Sequence, residues 1–186
     1  ITSVNRDELE DGGAAIWAET IRQVRLLNPQ TSIEVLVPDF QGKESSILTV
    51  CKAHPEIFGH NIETVPRLCR KVRPQANYQQ SLWVLERAKE EGMFTKTSIM
   101  VGLGETKEEV VEVMKDAREA GVDIFTVGQY LQPTSKHLPV ARFVHPSEFA
   151  YYAEIGKEMG FRHVESGPLV RSSYLADKQA KMAFEI

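Results

Sequence analysis

The chain has 186 residues, of which 42% are hydrophobic and 26% charged, and its formal net charge is −4. That length and composition suit one folded domain with one sizeable core. The negative balance, with no local Lys/Arg cluster, gives no nucleic-acid footprint, and no run of about 18 apolar residues is present to span a membrane.

Short β-branched runs alternate with segments of helical period, the pattern of βα units on a parallel sheet. A strand stub at 1–4 leaves through a polar loop into a helix over 14–27, where Ile16, Ile21, Val24 and Leu27 share a face. Asn28-Pro29 stops that helix. A strand follows at 33–37, a helix at 44–53 and a strand at 57–62, and Pro66 suits the first turn of the next helix. Arg73-Pro74 breaks it, and a longer helix covers 79–91. The next strand is 97–101, followed by a helix over 107–120 whose Thr106-Lys107-Glu108-Glu109 start reads as a capping box. Gly121 is placed as its C-terminal cap. A strand at 123–127, a loop rich in Pro and His, a helix at 146–159 and a short strand at 163–165 complete the series. These elements predict a single α/β domain over 1–186, with too few strands for a full eight-unit barrel, which takes roughly 250 residues.

Cys51 and Cys69 lie 18 positions apart, each inside a predicted helix. Neither belongs to a closely spaced pair, so both read as small buried hydrophobes and not as metal or redox motifs. The five histidines show no paired metal spacing.

In parallel α/β folds ligands collect at the carboxyl ends of strands. That rule selects Asn5 to Asp7 and Asp11 to Gly13, Pro38-Asp39, Asn61 and Glu63, Gly102, Gly104 and Glu105, Gln129, Tyr130 and Gln132, and Arg171 to Tyr174. The set is polar but poor in groups that titrate near neutrality, so it fits positioning of a zwitterionic cofactor better than acid–base turnover. Asn61 and Glu63 alternate with Ile62 and can both face the mouth; equally, Glu63 can pair with Arg67 four residues on. Arg67, Arg70 and Arg73 are candidate cations for a cofactor carboxylate. Gly102-Leu103-Gly104 permits close backbone approach, to a nucleoside or to a phosphate.

The stretch from Ser166 to Tyr174 is a turn signal, a short apolar run, then a cation, two hydroxyls and a phenol. On spacing alone it is best explained as a solvated strand end whose serine caps the next helix. Yet Gly167-Pro168-Leu169-Val170-Arg171-Ser172-Ser173-Tyr174 is similar to the carboxyl-terminal signature of the lipoyl synthase family of radical S-adenosylmethionine enzymes. Further motifs resemble the same family in order along the chain: Thr2 to Leu9 with Asp11 to Ala14, Glu34 to Phe40, His60 to Arg67, Gly102 to Thr106, and Gly128 to Pro133.

The resemblance implies a partial (β/α)6 radical-S-adenosylmethionine barrel, here units two to six, with the first unit and both cysteine triplets upstream of Ile1. It implies two [4Fe-4S] clusters and S-adenosylmethionine in the longer parent, with Asn61, Glu63, Gly102, Gly104 and Gln129 at the cofactor. It also implies Ser173, with Ser172 as the alternative, as an oxygen ligand to the auxiliary cluster. The implied activity is that of a sulfurtransferase inserting sulfur at C6 and C8 of an octanoyl-lysine. Its partners would be octanoylated lipoyl carrier domains or the glycine-cleavage H protein, and an electron donor such as ferredoxin or flavodoxin. A cytoplasmic location is expected, and the chain alone is expected to hold no cluster and to be inactive. Two other readings remain: a metal-free barrel enzyme on a phosphorylated substrate, using Gly102–Gly104 as phosphate cradle and Lys96 as Schiff-base amine, and a non-catalytic scaffold.

Overall fold

The computed structural model describes residues 1–184. Five strands, β1 (Glu34–Leu36), β2 (Ile57–Gly59), β3 (Phe94–Val101), β4 (Ile124–Gln129) and β5 (His163–Gly167), form one sheet in chain order. Every neighbouring pair is parallel. Parallel neighbours need a crossover at each step, and helices provide it. Helix α1 (Ala14–Leu27) leads into β1, α2 (Glu44–Cys51) joins β1 to β2, and α3 (Pro66–Val72) with α4 (Tyr78–Glu90) joins β2 to β3. Then α5 (Lys107–Glu119) and α6 (Pro146–Glu158) make the next two crossovers, and α7 (Ala176–Phe184) follows β5. A parallel sheet that advances without reversing is the wall of a partial barrel.

Strand parity divides its two faces. Val35, Phe58, Ile99, Val101, Phe125 and Val127 pack outward under the helices, in the two large core clusters. Their alternates, including Glu34, Ile57, Lys96, Ile124 and Thr126, line the concave face. Helix α7 closes the amino end of that face, with Ala180 against Ile57, Ile124 and Phe94. Among the described residues no helix is long and apolar enough to cross a membrane.

The helix starts follow the local signals. Thr106 and Glu109 make the reciprocal capping box of α5, and Pro66 and Pro146 open α3 and α6. The expected strand at 1–4 is reduced to one bridge, Thr2 to Leu36, because this segment has a partner on one side only. Strand β2 ends at Gly59 and not at Ile62, and the chain makes only one further bridge, Glu63 to Ile99, where Glu63 takes φ 71°. Helix α7 is foreshadowed in the sequence only as the unbounded helix that a serine of the 166–174 stretch would cap. Cys51 and Cys69 are both free and buried, and burial pushes the Cys51 thiol up to about 12.

One buried titratable group ties the sheet to the helices. His60 Nδ1 lies 2.9 Å from the Val37 carbonyl, so it carries the proton, and Nε2 accepts from Ser81 on α4 at 3.1 Å. Burial holds its pKa down at about 4. A histidine that is neutral when folded and ordinary when unfolded contributes stability above about pH 6.5, lost as pH falls toward 4. The expected loss across that window is about 3 kcal/mol, read from denaturant midpoints at pH 7 and pH 4.5. His60→Gln should flatten the slope; an unchanged slope would assign the acid sensitivity to other groups.

Candidate functional site

The carboxyl ends of the strands form a mouth with two clefts that share Arg73 and Pro74 as a wall. One, of about 780 Å³, is lined by Asn5, Asp7, Asp39, Gln41, Gln75 and Gln80. The other, of about 770 Å³, has Glu63, Met100, Tyr130 and Leu138 inside and Lys71, Lys136, His137 and Arg171 around it.

Asn61 and Glu63 come together as their alternation predicts. Asn61 Nδ2 donates to Glu63 Oε1 at 3.0 Å, and Ile62 between them is buried under the helices. Desolvation raises the Glu63 carboxyl, opposed by the Asn61 hydrogen bond and the Arg73 charge. Arg73 itself donates to the backbone carbonyl of Asn61 at 2.9 Å. The alternative, a Glu63–Arg67 pair, does not form. Glu63 precedes the helix that begins at Pro66, so the four-residue spacing is not a helical one. Arg67 turns instead to Glu109, at 2.7 and 2.9 Å, and to the Gly104 carbonyl.

The loop after β3 is closed by its own carboxylate. Glu105 is buried and accepts from the amides of Gly102 at 2.7 Å and Leu103 at 2.9 Å. A phosphate would need those same amides, so the phosphate-cradle reading of Gly102–Gly104 is not supported. Gly102 has φ 99°, and a Cβ there would lie 2.2 Å from Gln129 Nε2 and 2.6 Å from the Arg142 carbonyl. Its close approach is therefore to protein. Gly104 is more open, since a Cβ there would meet only the Ala141 side chain, at 3.9 Å.

Gln129 stands on the helix side of β4, in step with Phe125 and Val127. Its amide donates to the carbonyls of Tyr130 and Arg142, and its oxygen accepts from Val144 N at 2.8 Å. This pins the chain after the Pro/His-rich loop, where Arg142 grips Glu148 through two hydrogen bonds of 2.8 and 2.6 Å. That pair holds the Glu148 carboxyl below its usual range. Asp11 is also structural: its two oxygens accept from Gly13 N and Ala15 N at the start of α1.

The segment after β5 folds back over the concave face. The Val170 carbonyl packs on Gly128, where a Cβ would meet it at 2.1 Å. From there the chain descends to α7 at the amino end of the same face. Ser172 and Ser173 occupy the turn closed by Tyr174 N to Arg171 O at 2.9 Å. Helix α7 begins at Ala176, preceded by Leu175 with φ 47°, so neither serine caps it and the capping explanation fails. Ser173 is exposed and Ser172 partly buried. Among the described residues no three His, Cys, Asp or Glu side chains converge as a metal site.

Lys96, the other candidate nucleophile, is far from the mouth. It lies five residues before the end of β3, about 16 Å along a strand, buried and paired with Glu34 at 2.9 Å.

Comparison with known proteins agrees with this geometry. The chain is 59% identical over 179 residues to the lipoyl synthase of Flavobacterium johnsoniae, a match covering 96% of this chain and 62% of that protein. It is 60% identical over 185 residues to the lipoyl synthase of Rubrobacter xylanophilus, covering 98% and 58%. With the mitochondrial lipoyl synthase of Nematostella vectensis it shares 55% over 179 residues, covering 96% and 62%. The chain thus spans about three fifths of the length of these relatives. Among solved structures, Streptococcus suis SuiB superposes with a TM-score of 0.62 at 11% identity, over 96% of this chain and 36% of that one. Methylornithine synthase superposes at 0.52 and 17% identity, over 67% and 37%. Both are likenesses of fold. Residues 2–128 match the Radical SAM superfamily, so the chain belongs to that superfamily and is similar along nearly all its length to lipoyl synthases.

Proposed function

We propose that this chain is part of a lipoyl synthase, corresponding to units two to six of the partial barrel. In the longer parent the reaction is sulfur insertion at C6 and C8 of an octanoyl-lysine on a lipoyl carrier domain or the glycine-cleavage H protein. The observation that carries this reading is 55–60% identity to lipoyl synthases along nearly the whole chain. Reduced iron–sulfur clusters, fed by a donor such as ferredoxin or flavodoxin, and S-adenosylmethionine supply the radical and the sulfur.

The residues of this chain bind and orient. The Asn61–Glu63 hydrogen bond leaves Asn61 Oδ1 and Glu63 Oε2 as acceptors, Glu63 lining the cationic cleft, a donor-accepting pair that suits a ribose diol or an ammonium group. Gly104, the more open of the two glycines, forms the wall against the adenosine on a loop that Glu105 holds through the Gly102 and Leu103 amides, and Gln129 supports that loop from behind through the Arg142 carbonyl. These residues fit S-adenosylmethionine. For a cluster they fit only as one oxygen donor, Ser173, so the thiolates must come from elsewhere in the parent.

Two measurements on the parent protein test this. Anaerobic incubation with S-adenosylmethionine, reductant and octanoylated carrier should give the mass of the lipoyl product; octanoyl carrier returned unchanged would overturn the reading. Glu63→Ala should weaken S-adenosylmethionine binding, followed by equilibrium dialysis, by about tenfold, the value of one or two hydrogen bonds to a partly buried carboxylate. Unchanged binding would remove Glu63 from the cofactor site.

A further inference from the structure

The mouth is electrostatically lopsided. The cationic cleft gathers Lys71, Arg73, Lys136, His137 and Arg171, and Glu63 is the carboxylate among its lining residues. This occurs on a chain whose net charge is −4. Arg73 and Arg171 each spend a donor on a backbone carbonyl. The ammonium groups of Lys71 and Lys136 have no hydrogen-bond or ion-pair partner among the described residues, and both side chains stand exposed at the rim. Leu131, 49% exposed, lies beside them. Several other exposed cations are paired, as with Arg22–Glu19, Arg67–Glu109 and Lys115–Glu112, and unpaired ones such as Lys52 and Lys157 do not line this cleft, so the mouth is set apart by the gathering of its cations around one opening. Unpaired like charges gathered at one opening repel one another, and they are relieved by an anionic partner.

We propose that Lys71 and Lys136 form a cationic collar that docks an acidic protein surface presenting an acylated lysine, and that the collar selects against the same surface carrying a free lysine. This rests on the function proposed above. Acylation turns an ammonium into a neutral amide, so carboxylates that surrounded the lysine on the carrier lose their compensating charge. Those carboxylates then favour the collar, whereas an unmodified ammonium is repelled by it. Charge at the rim thus sorts acylated from unacylated carrier before the chain enters, chiefly through the rate of encounter.

The test uses the parent protein and its Lys71→Glu/Lys136→Glu variant. The probes are an octanoylated carrier domain, the same domain with free lysine, and a neutral octanoyl-lysine peptide. Charge reversal should weaken binding of the octanoylated domain by about ten- to a hundredfold at low salt, with the neutral peptide changed by less than about twofold. Wild-type preference for acylated over free-lysine domain should shrink as ionic strength rises. Carrier binding that is unaffected by the reversal would overturn the collar. So would a parallel loss for carrier and peptide, which would assign the two lysines to the acyl arm or the cofactor. Salt-sensitive, reversal-sensitive docking without lipoyl product would leave the collar standing and sink the proposed reaction instead.

Discussion

Ser173→Ala in the parent protein is expected to abolish lipoyl product while 5′-deoxyadenosine continues to form. The Ser173 hydroxyl is exposed, lies on the tail that crosses the concave face, and makes no hydrogen bond within the described residues. It caps no helix, since α7 starts three residues later. Alanine should therefore cost stability only within about 0.5 kcal/mol, the usual range for a surface change. If the hydroxyl is the oxygen ligand of the sulfur-donating cluster, product should fall at least a hundredfold, roughly the upper effect of disturbing a metal's outer shell. Ser173→Cys should keep a cluster but release sulfur slowly, because a thiolate holds iron more tightly than an alkoxide does. Both products are quantified together in single turnover. Loss in Ser172→Ala with normal product in Ser173→Ala would move the ligand to Ser172, and normal product in both would leave the pair without a catalytic part.

Helix boundaries were legible because their signals are local. Helix α1 spans the segment expected, and Pro66, Thr106 and Pro146 mark starts that need nothing distant to fix them. Strand limits depend on partners that local signals do not reveal. Strand β3 begins at Phe94, three residues before the expected start, since Lys96 is carried into the concave face by an ion pair with Glu34, 62 positions away. Position Gln129 was legible but misread. Continuing the alternation of Phe125 and Val127 places it under the helices, where its amide holds the Arg142 strap and no longer faces the mouth. Glu63 and Arg67 show the converse error, a helical spacing applied across a helix start. The cationic rim joins Lys71 of α3 to Lys136 of a distant loop, and no one-dimensional pattern brings those together.

The second large effect is on stability and concerns Glu34 and Lys96. The pair reaches across β2: Glu34 is in register with Ile57, and Lys96 with Gly59, which has no side chain to stand between them. The Lys96 ammonium lies 2.9 and 3.1 Å from the two Glu34 oxygens, and its side chain is 2% exposed against 22% for Glu34. That asymmetry predicts unequal costs. Glu34→Ala leaves a buried cation with no partner and should cost about 3–5 kcal/mol near neutral pH. Lys96→Met leaves a carboxylate that water still reaches and should cost less, about 1–2 kcal/mol. The double variant Glu34→Ala/Lys96→Met should be more stable than Glu34→Ala alone, because the second change removes the stranded charge. Urea midpoints for the four proteins at pH 7 decide the matter. Additive losses would show that the pair is not what holds β1 to β3 across the concave face.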